Sequence, residues 1–223
     1  MWRLFCTALV LGLVIHSTDA QFNLKVGYRL GILDAPVHDA IIQQHNLLND
    51  SYSTIFRPLK SLHGFELGVR QRNRNVSYEF GWKLQRNMQK ATGNFIDGTP
   101  YENQLTYEFQ AISTGLYGHL GPVSIGGSLD YNFLRIKQNF VEPDQDDSMK
   151  DNLFSSDFSL TYTFPSDGVV TLALQPYFRV NWGQYDITPL YESLTNSVAE
   201  GPRPMREKFA MYGFSVIVYN GYQ

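Results

Sequence analysis

Few side chains have the types and spacing that catalysis requires. Ser61, His63 and Glu66 lie within six residues of one another, and a hydroxyl, an imidazole and a carboxylate are the groups that cooperate in nucleophilic catalysis. That chemistry needs the hydroxyl within hydrogen-bond reach of the imidazole, and exposed Ser and His residues are also common near loop ends. The sequence therefore predicts no catalytic residue, and we expect that the chain is not an enzyme.

An acidic run is the second candidate for chemistry. Residues Glu142–Asp147 offer the oxygen atoms that divalent cations prefer, but the run lacks the ligand spacing and the glycine of a calcium-binding loop. It is typical of a solvated acidic loop. The sequence predicts no metal site and no cofactor.

Length and charge restrict the classes of function. A chain of 223 residues suits one domain, and 17% charged with 43% hydrophobic residues is not a disordered composition. The formal net charge of −3 leaves no basic stripe for neutralising phosphates. We therefore expect no nucleic-acid partner.

The first twenty residues have the pattern of a cleaved secretory signal peptide. Arg3 precedes the apolar run Leu4–Ile15, which is too short to anchor in a bilayer, and Thr18-Asp19-Ala20 fits a small-x-small cleavage pattern. Cleavage removes Cys6, the single cysteine. The exported domain, residues 21–223, would have no disulfide, so a large core or a membrane must stabilise it.

After residue 20 the chain alternates apolar and polar residues with a period of two, as β-strands do. Eight segments show the pattern, and the first is about as long as a tilted strand that crosses a bilayer. The outward, apolar face of the fourth segment begins with Leu105, Tyr107 and Phe109 and changes phase to Ile112, Thr114 and Leu116, which we interpret as a β-bulge near Gln110. No stretch has the 18 or so apolar residues of a membrane helix. The predicted strands are Phe22–Ile32, Gly64–Arg72, Val76–Gln85, Leu105–Leu116, Val123–Phe133, Asp157–Phe164, Val170–Trp182 and Tyr212–Val218.

Short and long connections alternate along the chain. All long connections therefore meet at one end, as in bacterial outer-membrane barrels with short periplasmic turns and longer extracellular loops. The sequence predicts an all-β fold, an eight-stranded antiparallel up-and-down transmembrane β-barrel with both termini in the periplasm. The short connections are Asn73–Asn75, His119–Pro122 and Pro165–Gly168; the long ones are Leu33–Leu62, Asn87–Asn103, Lys137–Asn152 and Gly183–Lys208.

A soluble lipocalin-like calyx also has eight strands, but it turns its apolar face inward. Matched charges favour the membrane barrel, because pairing about the turn at Arg74-Asn75 places Arg70 opposite Glu79 and Glu66 opposite Lys83. Mid-strand glycines on the polar faces suit a narrow interior as well. These glycines are Gly27, Gly68, Gly81 and Gly126.

The interior of an eight-stranded barrel is only wide enough for side chains. Five bases and five acids are predicted to point inward, and their balance favours a plug of ion pairs, with a narrow polar path for ions or protons as the alternative. Aromatic side chains near strand ends are expected at the lipid–water boundary. The predicted lumen charge network is Lys25, Arg29, Glu66, Arg70, Glu79, Lys83, Glu108, Asp130, Asp157 and Arg179; the predicted interfacial aromatics are Phe22, Trp82, Phe133, Phe164, Trp182 and Tyr212.

The eight-strand plan resembles the small outer-membrane barrels of the OmpX and OmpA-domain type. The block from Ile41 to Asn46, with Arg57-Pro58-Leu59 and His63–Val69, is similar to the broad β-barrel family abundant in Bacteroidota, which includes PorT-like proteins. The resemblance implies a Gram-negative outer membrane, with its lipid and lipopolysaccharide as surroundings. Such families contain scaffolds, adhesins, secretion-machinery parts and a few enzymes, so fold does not choose the function.

The long loops are the expected functional surface, because a rigid barrel presents them to other molecules. Asp34-Ala35-Pro36 is a helix-start signal, and Val37, Ile41 and Leu48 follow at helical spacing, so the first loop is predicted to hold a short amphipathic helix. We expect a structural or binding role towards lipid, lipopolysaccharide or another envelope or surface protein. An outer-leaflet lipid-modifying enzyme, a narrow channel and a secretion-machinery component are the alternatives.

Overall fold

A closed barrel of eight antiparallel strands makes up most of the molecule. The computed structural model describes residues 21–48, 52–94, 98–140, 147–195 and 204–220. Each barrel strand pairs with the next along the chain, and the last pairs with the first, which confirms the predicted all-β fold. The barrel strands are β1 Gln21–Asp34, β3 Ser61–Arg72, β4 Val76–Asn94, β5 Pro100–Leu120, β6 Val123–Phe140, β7 Asp147–Thr163, β8 Val170–Asn181 and β11 Ala210–Asn220.

The smaller elements lie at one end of the barrel. Helix α1 covers Pro36–Leu48 and helix α2 covers Thr188–Thr195; β2, Tyr52–Thr54, pairs with β4, and β9, Tyr185–Asp186, pairs with β10, Arg206–Glu207. We call this the loop end. The opposite turn end holds the connections 73–75, 121–122 and 164–169. Gly121 has a φ of 64° in its two-residue turn, a conformation that glycine adopts at low cost.

Alternation along the strands separates a polar interior from an apolar exterior. In β1, Lys25 and Arg29 are buried while Val26 and Tyr28 are about half exposed, at 52% and 51%. The other barrel strands repeat this alternation of exposure at the turn end and at mid-height, although Ala173, Ile217 and Tyr219 form a small buried apolar cluster among the polar side chains. The barrel is therefore inverted relative to a soluble protein, which buries its apolar side chains.

Two predicted details of the strands are wrong. β5 pairs with β4 from Pro100 to Gly118 and with β6 from Asn103 to Leu120, both without a register shift, so there is no β-bulge near Gln110. The second and third long connections are also shorter than expected, because β4 continues to Asn94 and β7 begins at Asp147.

The physical reason is that the strands change polarity rather than register. Leu105, Tyr107 and Phe109 were predicted to face outward, but they are buried at 0%, 0% and 4% exposure, and Ile112 further along faces outward. At the loop end the interior is thus apolar, while the same strands at mid-height enclose polar side chains. β5 has 21 residues, and its loop-end portion buries its apolar side chains, as the strands of soluble proteins do.

The apolar loop-end core is continuous with the helices that cover it. Ile41 and Ile42 of α1 and Leu190 and Leu194 of α2 pack into one cluster with buried residues of the strands. Phe209 is fully buried there and has a φ of 47°, a left-handed conformation that persists because packing determines it. Neither described helix has the length and apolar character needed to cross a membrane.

Candidate functional site

Eight of the ten predicted lumen charges form one connected cluster inside the barrel at mid-height. They come from six strands, and all eight side chains are buried from solvent by nine-tenths or more, with Glu79 the most exposed at 10%. We call this group the ion cluster. Its members are Lys25, Arg29, Glu66, Glu79, Lys83, Asp130, Asp157 and Arg179.

Asp157 is the centre of the ion cluster. Its Oδ2 atom lies 2.5 Å from Arg29 Nη2 and 3.0 Å from Lys83 Nζ, and its Oδ1 atom accepts a hydrogen bond of 2.7 Å from Arg179 Nε. Lys83 and Arg179 also reach Asp130, at 2.7 and 3.1 Å. Two carboxylates therefore share three cations, which gives each buried charge an opposite neighbour.

A second part of the ion cluster lies closer to the turn end. Lys25 Nζ donates to Glu79 Oε2 at 2.8 Å and lies 3.5 Å from Glu66. Arg29 Nη1 is 3.7 Å from Glu66 and joins the two parts. The Arg29 guanidinium also stacks 3.4 Å from the centre of the Tyr177 ring, a contact that suits a desolvated cation.

The predicted register of the β3–β4 hairpin is confirmed, but the predicted ion pairs are not the ones that form. Arg70 lies opposite Glu79 and Glu66 opposite Lys83. Lys83 instead bonds Asp130 and Asp157 across the lumen. In a narrow interior a long side chain reaches strands across the barrel as easily as its lateral neighbour.

Arg70 is held apart from the ion cluster. Its guanidinium donates to Asn23 Oδ1 at 3.3 Å and lies 3.5 Å from the centre of the Tyr219 ring. The Tyr219 hydroxyl in turn donates to Glu79 Oε1 at 2.9 Å. Tyr219 thus connects Arg70 to the cluster through a cation–π contact and a hydrogen bond.

Glu108 does not belong to the lumen, contrary to the prediction. It lies on the outer face of β5, hydrogen-bonded to Gln110, with Arg86 and Arg135 at the facing positions of β4 and β6. The prediction placed the apolar residues of β5 outside along its whole length, and the polarity change described above reverses that assignment. The row Arg86–Glu108–Arg135 marks where the apolar exterior ends.

The ion cluster joins strands across the lumen at its level. The interior cavity beside Lys25, Glu66 and Glu79 has a volume of about 10 Å³, roughly the space that a single water molecule needs. Ion pairs in this arrangement link strands on opposite sides of the barrel from inside.

All six predicted interfacial aromatics lie on the outer face, but their heights differ. Phe22 and Phe164 lie at the turn end, and Trp182, 63% exposed, lies towards the loop end. Trp82 lies opposite Leu67, near the middle of the β3–β4 ladder, and not near a strand end as predicted. Its ring packs edge-on against Phe65 at 5.4 Å.

The sequence constellation of Ser61, His63 and Glu66 does not assemble. His63 is exposed on the outer face of β3, whereas Glu66 points into the lumen and contacts Lys25 and Arg29. Successive strand residues alternate faces, and an odd separation puts the imidazole and the carboxylate on opposite sides. Among the described residues no group of three or more His, Cys, Asp or Glu side chains could hold a metal ion; Glu142–Asp146 lie outside them.

Glu207 of β10 caps the N-terminus of helix α1, a role that the sequence does not indicate. Its Oε2 atom accepts hydrogen bonds from the backbone N–H groups of Val37 and His38, at 2.8 and 3.0 Å. A buried carboxylate at a helix N-terminus satisfies free N–H groups and complements the helix dipole. Because the partners are about 170 residues apart, no local pattern could have revealed this cap.

Helix α1 is also tied to α2 and to the 55–60 segment. His45 Nδ1 lies 2.7 Å from the Leu194 carbonyl oxygen and donates to it. Burial lowers the pKa of His45, and although this hydrogen bond opposes the effect, the pKa stays below its ordinary value. On the other side, Asp39 accepts from Lys60 Nζ at 2.7 Å and from the Leu59 N–H.

The predicted helix is therefore present, but its packing face differs from the prediction. Val37 and Leu48 are 37% and 60% exposed, whereas Ile41 is buried as expected. His38, Ile42 and His45 complete the buried face. Two histidines on that face made the apolar stripe hard to recognise.

Comparison with known proteins identifies the fold and no family. No family model matches the chain, and no curated protein matches it. Among solved structures, the chain is similar to Ail, the attachment invasion locus protein of Yersinia pestis, in complex with the heparin analogue sucrose octasulfate. The two sequences are 10% identical and the TM-score is 0.51. The match covers 92% of this chain and 99% of the Ail chain. Neisserial surface protein A gives 11% identity, a TM-score of 0.42 and coverage of 92% and 99%. The likeness to Ail agrees with an eight-stranded barrel of the outer-membrane type.

Proposed function

We propose that this protein is an integral outer-membrane β-barrel with a structural or binding role, that its lumen is closed, and that its loop end contacts its partners. The observation that carries the proposal is the inverted barrel. Its charged side chains are buried inside, while its large apolar side chains cover the outside. Only an apolar surrounding makes that exterior favourable.

The apolar exterior is larger than a soluble protein tolerates. Phe80, Phe158 and Phe178 are exposed by 59%, 58% and 52%, and they lie among many exposed aliphatic and aromatic neighbours on adjoining strands. Soluble monomers rarely expose contiguous apolar patches of more than a few hundred Å². On β4, residues 76–86 extend from the turn end to the charged row at Arg86, which agrees with the roughly 9–11 residues that a tilted strand needs to cross a bilayer.

The lengths of the connections at the two ends support an orientation of the barrel in the membrane. Short turns face the periplasm in bacterial outer-membrane barrels, and longer connections face outward. β1 begins and β11 finishes at the turn end. We therefore propose that both termini lie in the periplasm of a Gram-negative cell. The helices and the loop-end core then project from the outer surface.

A binding role at the loop end has support from the rigid mount and from a similar fold. Glu207 of β10 accepts hydrogen bonds from the start of α1, and His45 joins α1 to α2. Preorganised surfaces of this kind bind at lower entropic cost. Ail was crystallised with a heparin analogue. We propose a surface ligand for this chain too, presented at its loop end.

A catalytic or channel function has less support. The imidazole of His63 and the carboxylate of Glu66 lie on opposite faces of β3, and oppositely charged side chains of the ion cluster meet across the lumen. We therefore propose a protein that is neither an enzyme nor an open pore.

Fluorescence quenching by brominated lipids tests membrane insertion. In vesicles whose acyl chains carry bromine, Trp82 as the sole tryptophan should be strongly quenched, because its outward ring lies in the apolar exterior. A matched control with Leu47→Trp as the sole tryptophan should escape quenching, because Leu47 is 74% exposed on α1 at the loop end. Equal emission of Trp82 in brominated and ordinary vesicles, or full solubility without detergent, would contradict insertion.

Planar-bilayer recordings test the closed lumen separately. We expect no steady conductance from the inserted barrel, since charged side chains of opposite sign meet across the lumen. A steady ion current that Asp157→Asn alters would favour the channel instead.

A further inference from the structure

A cleft opens in the barrel wall where β3 and β4 separate. Their ladder ends at His63 and Arg86, and beyond that point the 53–61 segment runs beside β4 without continuous backbone pairing. The cleft has a volume of about 870 Å³ and combines inward-facing with outward-facing side chains of β4. It is lined by Ser53, Thr54, Ile55, Arg57, Pro58, Lys60, Ser61, Asn87, Met88, Gln89 and Lys90.

Hydrogen bonds fix both walls of this cleft. Asn87 Nδ2 donates to the Ser61 carbonyl at 2.8 Å, and the Arg57 N–H donates to Gln89 Oε1 at 3.2 Å. Behind the segment, the side chain of Asn46 makes two hydrogen bonds to the backbone of Phe56, which is 1% exposed. The cleft is therefore held open by the same contacts that attach helix α1.

The lining is cationic. Arg57, Lys60 and Lys90 belong to it, and none of its eleven residues is acidic. Lys60 and Lys90 contact Asp39 and Glu102 just outside the cleft, but their side chains remain 64% and 47% exposed. Exposed ion pairs are weak enough for an incoming anion to share their cations. A guanidinium beside two ammonium groups suits a phosphate, which accepts hydrogen bonds on several oxygens.

The height of the cleft favours a lipid phosphate over a free one. Tyr78, Phe80 and Trp82 on the outer face of β4 belong to the apolar exterior, and the charged row begins at Arg86. The cleft residues 87–90 follow directly and hence lie at the outer edge of the proposed hydrocarbon layer. Ile55 and Met88, 54% and 51% exposed, add apolar surface, as an amphiphile requires at that boundary.

We infer that the wall cleft between the 53–61 segment and β4 binds the phosphate of an outer-leaflet lipid headgroup, with Arg57, Lys60 and Lys90 as the contacting cations. This inference rests on the proposed membrane insertion and goes beyond it, since a barrel can be inserted without any specific lipid site. The lipid fills the gap that the β3–β4 ladder leaves.

Native mass spectrometry of the full chain in detergent tests this site. The probes are lipid A carrying its phosphates, the same lipid with the phosphates removed, inorganic phosphate, and sucrose octasulfate. We expect the chain to retain phosphorylated lipid A, and a variant with Arg57→Ala, Lys60→Ala and Lys90→Ala to bind it at least about tenfold more weakly, given the affinity that each basic residue contributes at an anionic membrane surface. The matched control, Lys137→Ala with Lys150→Ala, removes cations of β6 and β7 and should bind like the native chain.

The outcomes separate the inference from the proposed function. Equal retention of both lipid forms, equal affinity of the two variants, or preference for sucrose octasulfate over lipid A would overturn the cleft assignment while leaving the barrel inserted. Insertion itself is read on the same samples from the different migration of unheated and boiled protein on a gel. Failure of that readout in the native chain would instead reject the proposed function.

Discussion

At the scale of single residues, Asp157 has the greatest expected effect on stability. Asp157→Asn leaves Arg29, Lys83 and Arg179 buried around fewer carboxylates. Breaking a buried charge network in this way costs about 3–5 kcal/mol. We expect a loss of about that size in the free energy of unfolding, measured by urea titration of the barrel in lipid vesicles with tryptophan fluorescence.

An exposed ion pair provides the control for this prediction. Lys90 and Glu102 lie 2.8 Å apart with both side chains about half exposed, at 47% and 48%. Glu102→Gln should change the unfolding free energy by less than about 1 kcal/mol. If Asp157→Asn is as mild as Glu102→Gln, the ion cluster does not stabilise the barrel.

Gly126 is a second residue whose replacement is expected to destabilise the barrel. A methyl group there would lie 2.1 Å from the carbonyl oxygen of Leu116 and 2.7 Å from Tyr117 Cα, so the backbone itself would have to move. We expect Gly126→Ala to cost about 1–3 kcal/mol, as overpacking does. Gly118→Ala is the control, since its methyl group would meet no atom closer than 3.9 Å. Equal midpoints of urea unfolding for the two variants would refute the steric account.

At the scale of elements, the attachment of α1 depends on Glu207. Glu207→Ala removes the acceptor of the Val37 and His38 N–H groups, and loss of a helix cap costs about 0.5–2 kcal/mol. Hydrogen–deuterium exchange of residues 36–48 should accelerate accordingly, while β1 and β11 keep their protection. Gln44→Ala, on the exposed face of the same helix, should leave exchange unchanged; faster exchange in both variants would mean that general helix propensity, and not the cap, is responsible.

The contact between α1 and α2 should weaken on acidification. The pKa of His45 is lowered in the folded protein, chiefly by burial, so the unfolded helix takes up a proton at higher pH than the folded one. Stability is therefore fully present above the ordinary histidine pKa of about 6.5 and decreases as the pH falls towards the folded value. Exchange in residues 36–48, corrected for its intrinsic pH dependence, should be faster at pH 5 than at pH 7.5.

His45→Gln tests the origin of that pH response. Glutamine cannot titrate, and its amide can still donate to the Leu194 carbonyl. The difference between pH 5 and pH 7.5 should disappear in this variant. A difference that persists would show that His45 is not the origin of the response.

Much of the element layout could be predicted from the sequence, because a strand with one polar and one apolar face has a period of two. The register of the β3–β4 hairpin followed from its short turn, which fixes how two adjacent strands align. The loop-end portions of β4 to β7 could not be predicted in the same way, since alternation does not say which face meets lipid. Glu108 was therefore assigned to the wrong side.

At the scale of the whole molecule, closure of the barrel was predictable and its contents were only partly so. The charged residues of the lumen could be identified, but their pairing could not, because Arg29 and Asp157 are 128 residues apart and meet only after closure. The same holds for Glu207 and the start of α1. The wall cleft also escaped prediction, since it results from where a ladder ends and not from a motif.

The pairing of β1 with β11 has a consequence for the order of folding. Eleven residue pairs, from Leu24–Asn220 to Asp34–Ala210, join the first barrel strand to the last, so the ring cannot close until the whole chain has been delivered. Until then, two strand edges with unpaired backbone groups remain open to other chains. Contacts between residues so distant in sequence form slowly. This protein therefore depends on protection of those edges throughout its biogenesis, and a chain that lacks β11 leaves β1 and β8 permanently unpaired at the seam.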